Sequence, residues 1–227
     1  MLDILLFMTR ILENFDKINK LITARKFSIR KGNIIAVTKN FGPEIVKKAI
    51  KAGIYTFGEN RVQECETKFL KILRDFPQIK LHMIGPLQTN KIKKALTLFN
   101  VIHTLDREKV VKEIKKHLMA NSTTKDFFVQ VNIGNEPQKS GIHQNETTEF
   151  VKWCKMDMEI NIIGLMCIPP EGKESKKYFL KLQELAKKNT LPCLSMGMSS
   201  DYLDALEFGA THIRLGTIIF GKRWKLF

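Results

Sequence analysis

Short runs of aliphatic and β-branched residues recur eight times along the chain, and the gaps between them carry apolar residues at the spacing of an amphipathic helix. Strands that are apolar on both faces belong to parallel sheets covered on each side, and parallel neighbours are joined by long crossovers. The expected strands are residues 34–38, 54–57, 81–84, 101–104, 127–132, 160–166, 193–196 and 211–215. Helices are expected from Pro43 until Gly53, then at 62–73, 88–98, 107–118, 147–154, 176–187 and 201–208. No linker or low-complexity tract interrupts the series. Eight βα units in about 200 residues fill a closed barrel better than an open doubly wound sheet. The expected fold class is therefore α/β, a single (β/α)8 TIM barrel. One domain is expected over 1–227, with the amphipathic stretch 1–28 forming an extra N-terminal helix packed on the barrel.

In such a barrel the loops that follow the strands form the active face, and phosphate commonly binds after the last two strands. The seventh strand runs into Ser195-Met196-Gly197-Met198-Ser199-Ser200, and the eighth ends in Arg214-Leu215-Gly216-Thr217 before the apolar turn Ile218-Ile219-Phe220. Small residues in both loops let backbone N–H groups approach an anion, although the same composition also suits ordinary helix caps. Lys39 directly follows the first strand, which aims it at the barrel mouth. An amine there is costly to desolvate unless it is paired or covalently engaged, and a desolvated amine attacks carbonyls. A solvated strand-end lysine is the plainer alternative. Lysine, phosphate cradle and arginine in one mouth together suggest pyridoxal 5′-phosphate (PLP), with a Schiff base at Lys39 and the ring nitrogen facing Arg214.

Other residues near the strand ends have two readings each. Asn60 suits either a helix N-cap with Gln63 or a ligand contact. His82 sits in the third strand, with its ring facing either the barrel interior or the helix layer. His103 and His212 also fall in strands but have no carboxylate at ligand spacing, so no metal is assigned. Lys139-Ser140-Gly141 reads as a turn.

A set of motifs follows in order: Ala36-Val37-Thr38-Lys39, Phe57-Gly58-Glu59-Asn60 with Val62-Gln63-Glu64, His82-Met83-Ile84-Gly85-Pro86-Leu87-Gln88-Thr89-Asn90-Lys91, Lys139-Ser140-Gly141, Gly164-Leu165-Met166, Leu194-Ser195-Met196-Gly197-Met198-Ser199, and Arg214-Leu215-Gly216-Thr217 with Ile219-Phe220-Gly221. With these blocks the chain resembles the pyridoxal phosphate homeostasis protein family. The resemblance implies a barrel like the N-terminal domain of alanine racemase, carrying PLP on Lys39. It implies that Ser199, Gly216 and Thr217 hold the phosphate, that Arg214 faces the pyridine nitrogen, and that Asn60, His82 and Met83 lie around the ring. Thr38 and Thr89 stand where the family more often has serine, and Asn40-Phe41-Gly42 replaces a commonly basic stretch.

Charge and cysteine content narrow the class further. The chain has 38 Lys and Arg against 23 Asp and Glu, a formal charge of +15, but 30 of the 38 cations are lysine. Sites that grip phosphodiesters or base edges favour the planar arginine, so nucleic acid is not the expected partner and most lysines are expected to solvate helix faces. Cys65, Cys154, Cys167 and Cys193 show no C-x-x-C spacing, which favours a reducing cytoplasm without disulfides or zinc. The apolar opening lacks a basic n-region and a cleavage site, and no apolar run reaches the roughly 18 residues of a membrane span. No membrane partner is expected.

An arginine beside the ring nitrogen disfavours its protonation and makes the cofactor a weaker electron sink. A racemase also needs a second acid–base group on the opposite face, and Tyr55, Tyr178 and Tyr202 all fall within or beside barrel elements rather than in an appended domain. The expected function is a cytoplasmic, monomeric PLP carrier or buffer serving apo PLP-dependent enzymes, without robust turnover. A low-activity racemase-like enzyme and a nucleic-acid-binding protein are the alternatives.

Overall fold

The computed structural model describes residues 2–121 and 124–221; Met1, 122–123 and 222–227, together with the side chains of 2–8 and 121, lie outside the described residues. Eight parallel strands form the barrel: β1 Ile34–Val37, β2 Thr56–Glu59, β3 Lys80–Met83, β4 Val101–Leu105, β5 Asp126–Asn132, β6 Ile162–Cys167, β7 Cys193–Met198 and β8 His212–Leu215. They pair in chain order, and β8 returns to β1 with Ile34 opposite Ile213 and Ile35 opposite Arg214. The cylinder is thus closed by its first and last strands, as the eightfold alternation predicts.

Local differences from the expected boundaries have physical causes. β2 begins at Thr56 rather than at residue 54, because Ile54 is buried in the loop that leaves α2 (Pro43–Lys51) instead of in the sheet. The single helix expected at 62–73 is divided into α3 (Val62–Phe69) and α4 (Ile72–Asp75), with half-exposed Leu70 at the break. A two-residue strand at Ile142–His143 pairs with the end of β5 at Val131 and Asn132; two residues are too few to carry a period. Residues Thr217–Phe220 form one helical turn where an irregular apolar turn is expected.

The largest apolar layer lies between the barrel wall and the helices and includes Phe57, Phe69, Phe99, Phe127 and Phe179. The N-terminal helix, Leu2–Ala24, adds Ile11, Phe15, Ile18 and Ile22 to that layer, at the three-to-four-residue spacing of one helix face. It packs against α2 and the Thr217–Phe220 turn, and Asn14 Nδ2 donates to the Ile219 carbonyl at 3.0 Å. Inside the barrel, Val101, Phe128 and Met166 form a separate, small apolar cluster.

Gly197 sets the exit of β7 toward the mouth. Its φ of +92° lies in the left-handed region, and a Cβ there would stand 2.6 Å from Ala205 Cβ and 3.0 Å from Tyr202 Cα. Gly197→Ala should therefore cost roughly 2–3 kcal/mol from strain and overpacking together. A urea unfolding midpoint unchanged from wild type would show that the loop relaxes freely.

Candidate functional site

The C-terminal mouth of the barrel holds a cavity of about 520 Å³, within the usual range for small-ligand sites. Lys39, Asn60, Ser199, Arg214, Gly216 and Thr217 all line it. His82 and Met83 do not. Strand alternation sends them to opposite faces of β3. Met83 is buried in the layer between wall and helices, whereas His82 is buried with its Nδ1 2.9 Å from His103 Nε2. Phe41, Ile84 and Ile168, none of them a candidate site residue from the sequence, supply apolar wall; Phe41 packs on Phe220 at 5.2 Å between ring centroids. Asn60 does not cap α3, whose N-cap is Arg61.

The backbone on both sides of Lys39 is tied to β2 and α3 by a buried polar cluster. Lys68 Nζ donates to the Thr38 carbonyl (2.6 Å), to Glu59 Oε1 (2.7 Å) and to Glu64 Oε1 (2.9 Å), which uses all three of its N–H groups. Thr38 Oγ1 donates to the same Glu59 oxygen at 2.6 Å, and the Asn40 amide donates to Glu64 Oε1 at 2.6 Å. Asn40 has φ +63°, so the chain turns sharply after Lys39, and this residue type tolerates that conformation. Burial raises the Glu59 carboxyl above its ordinary value despite Lys68 and Thr38, and its Oε2 is buried without a hydrogen-bond partner. Burial also pushes Glu64 upward, but Lys68 and the Asn40 amide outweigh it and leave that carboxyl lowered.

Across the cavity, Ser199 Oγ accepts from the amides of Gly216 (3.2 Å) and Ile218 (3.3 Å), so two backbone donors and one hydroxyl converge. Arg214, 4% exposed, enters from β8 with Nη1 donating to Ser195 Oγ at 2.7 Å and Nη2 to the Cys167 carbonyl at 2.8 Å. Behind it lie three buried histidines. Burial holds His82 down to about 3 and His212 to about 4, and it holds His103 well below the ordinary range. All three are neutral near pH 7. Among the described residues no group of three or more His, Cys, Asp or Glu is placed to hold a metal. The arrangement suits an anion at one end of the cavity and a carbonyl carbon within reach of a primary amine at the other.

Residues 8–223 match the family model described as alanine racemase, N-terminal domain. The chain is 36% identical over 199 residues to a pyridoxal phosphate homeostasis protein of Aquifex aeolicus, covering 84% of this chain and 86% of that one. The chain belongs to the pyridoxal phosphate homeostasis protein family. Another member, PipY of Synechococcus elongatus, was solved with PLP bound; it superposes with a TM-score of 0.79 at 31% identity, over 93% of this chain and all of that one. Alanine racemase from Enterococcus faecalis shares the fold at a TM-score of 0.69 and 16% identity, and the match covers 95% of this chain but 58% of the racemase.

Two stability predictions follow for this member of the pyridoxal phosphate homeostasis family. Lys68→Met leaves the buried Glu59 carboxylate, the partly exposed Glu64 carboxylate and a carbonyl without their shared donor and should cost about 3–5 kcal/mol by chemical denaturation. A loss below about 1 kcal/mol would mean that water replaces the ammonium. In the unfolded chain the histidines protonate near their ordinary value of 6.5, while the folded values of His82 and His212 are about 3 and about 4. Their contribution is complete above pH 6.5 and is lost as pH falls toward the folded values, by about 1.4 kcal/mol per pH unit for each histidine. Raised carboxyls at Glu59, Asp106 and Asp201 act in the opposite sense, so the difference between wild type and a His212 variant isolates His212. Calorimetry at about pH 7 and about pH 5 should show a smaller drop in Tm for His212→Asn than for wild type.

Proposed function

We propose that the chain binds pyridoxal 5′-phosphate at the barrel mouth, attached to Lys39 as a Schiff base. In this reading it works as a monomeric cytoplasmic carrier that holds the reactive aldehyde and passes it to apo-enzymes. The observation that carries the reading is one cavity lined by Lys39, Ser199, Gly216 and Arg214, with the amides of Gly216 and Ile218 converging on the Ser199 hydroxyl. When bound, PLP supplies an aldehyde that condenses with amines and a dianionic phosphate. The donor set present here fits both groups. Ser199 Oγ stands where two amides point, a place that a phosphate oxygen can take over with the hydroxyl then donating to it. Lys39 Nζ, once deprotonated, adds to the aldehyde carbon, and the carbonyl oxygen leaves as water.

Arg214 supports holding over turnover. A guanidinium only donates hydrogen bonds, so it keeps the ring nitrogen unprotonated and limits electron withdrawal toward the ring. The match to pyridoxal phosphate homeostasis proteins along most of the chain supports the same role, as does the PLP found in PipY. The position of Asn60 on the cavity wall suits contact with the ring edge.

Incubation with PLP followed by borohydride reduction should leave a pyridoxyl adduct on the peptide containing Lys39, and Lys39→Ala should remove both that adduct and the visible absorption. A wild-type protein that stays colourless and unmodified would overturn the reading. Loss of the stereochemistry of added alanine at the rate of an enzyme would replace the carrier with a racemase-like activity.

A further inference from the structure

Four buried side chains beneath the cavity form a continuous hydrogen-bonded chain in which the donor of each of the three links can be assigned. Arg214 Nη1 donates to Ser195 Oγ at 2.7 Å, and a guanidinium cannot accept, so the direction at this end is fixed. Ser195 is fully buried, and its hydroxyl proton must go to another acceptor; His103 Nδ1 lies 2.8 Å away. His103 Nδ1 is then an acceptor, which puts the proton of its neutral ring on Nε2. That nitrogen is 2.9 Å from His82 Nδ1, which in turn accepts, and the His82 proton rests on Nε2. With Ser195 donating, moving the His103 proton to Nδ1 would leave two hydrogens facing each other at Ser195 and two lone pairs facing each other at His82 Nδ1. Phe128 stacks on His103 at 4.4 Å with 13° between planes, which holds the ring in the orientation the two bonds require.

We infer that Ser195, His103 and His82 are positioning residues for Arg214, acting as a one-directional chain that fixes two histidine tautomers and the guanidinium plane. Ser195 Oγ, by donating to His103, becomes a stronger acceptor for Arg214. The second anchor, Nη2 on the Cys167 carbonyl, sets the other edge of the fork. A guanidinium held at both Nη1 and Nη2 presents its remaining N–H groups in one orientation. The inference deepens the PLP reading and rests on it only for the last contact, between Arg214 and the ring nitrogen.

Two measurements separate the chain from the cofactor. Long-range nitrogen–proton NMR on histidine-labelled full-length protein, without PLP, should show His82 and His103 as single Nε2–H tautomers at neutral pH. Either ring carrying its proton on Nδ1, or both rings exchanging between tautomers, overturns the chain, and this needs no variant. In Ser195→Ala the single tautomer of His103 should be lost and the visible band of PLP-loaded protein should shift, while Ser195→Thr, which keeps the hydroxyl, should restore both. Tautomers as assigned with an unmoved band in Ser195→Ala would overturn the positioning role. Failure of the wild type to bind PLP would overturn the PLP reading, and with it the link to the ring nitrogen, but not the tautomers.

Discussion

The pairing of the first strand with the last is what places the candidate site. Ile35 stands opposite Arg214 and Ala36 opposite Leu215, so Lys39 leaves the sheet beside the loop of Gly216 and Thr217 although almost the whole chain separates them in sequence. In an open sheet these strands would be edges, and the amine and the anion donors would face solvent at distant places. Closure turns two ends of the sequence into two walls of one cavity.

Around that seam lie two buried polar systems with different roles. On the helix side of β1, the Lys68 ammonium joins two glutamates to the backbone flanking Lys39. Inside the barrel, Arg214 continues through Ser195 into the histidines. Replacing either with apolar residues would often be neutral or stabilising, so their presence is better explained by geometry than by stability. Each fixes a backbone or a guanidinium to within the tolerance that a covalent or charged contact needs.

The alternation of elements and the closed barrel were legible because apolar periodicity records which faces are covered. The placement of Lys39, Ser199, Arg214, Gly216 and Thr217 on the cavity wall was legible because barrel topology assigns strand ends to the mouth. Lys68 was not. In sequence it is one lysine among 30, most of them expected to be solvated, and nothing local shows that its partners Thr38 and Glu59 come from the ends of neighbouring strands. His82 and Met83 illustrate the same limit: adjacent residues of a strand face opposite ways, and two-sided burial removes the polar alternation that would tell which is which. The Ile142–His143 strand was too short to read.

Among the described residues the N-terminal helix contributes none that line the cavity, yet Asn14 holds the Ile219 carbonyl within the turn whose Ile218 amide points at Ser199. That turn is therefore stiffened from the outside of the cylinder. The helix acts as a backstop for it, and the outward face of the helix is left open to sequence drift so long as Asn14 and its four buried isoleucine and phenylalanine anchors are kept.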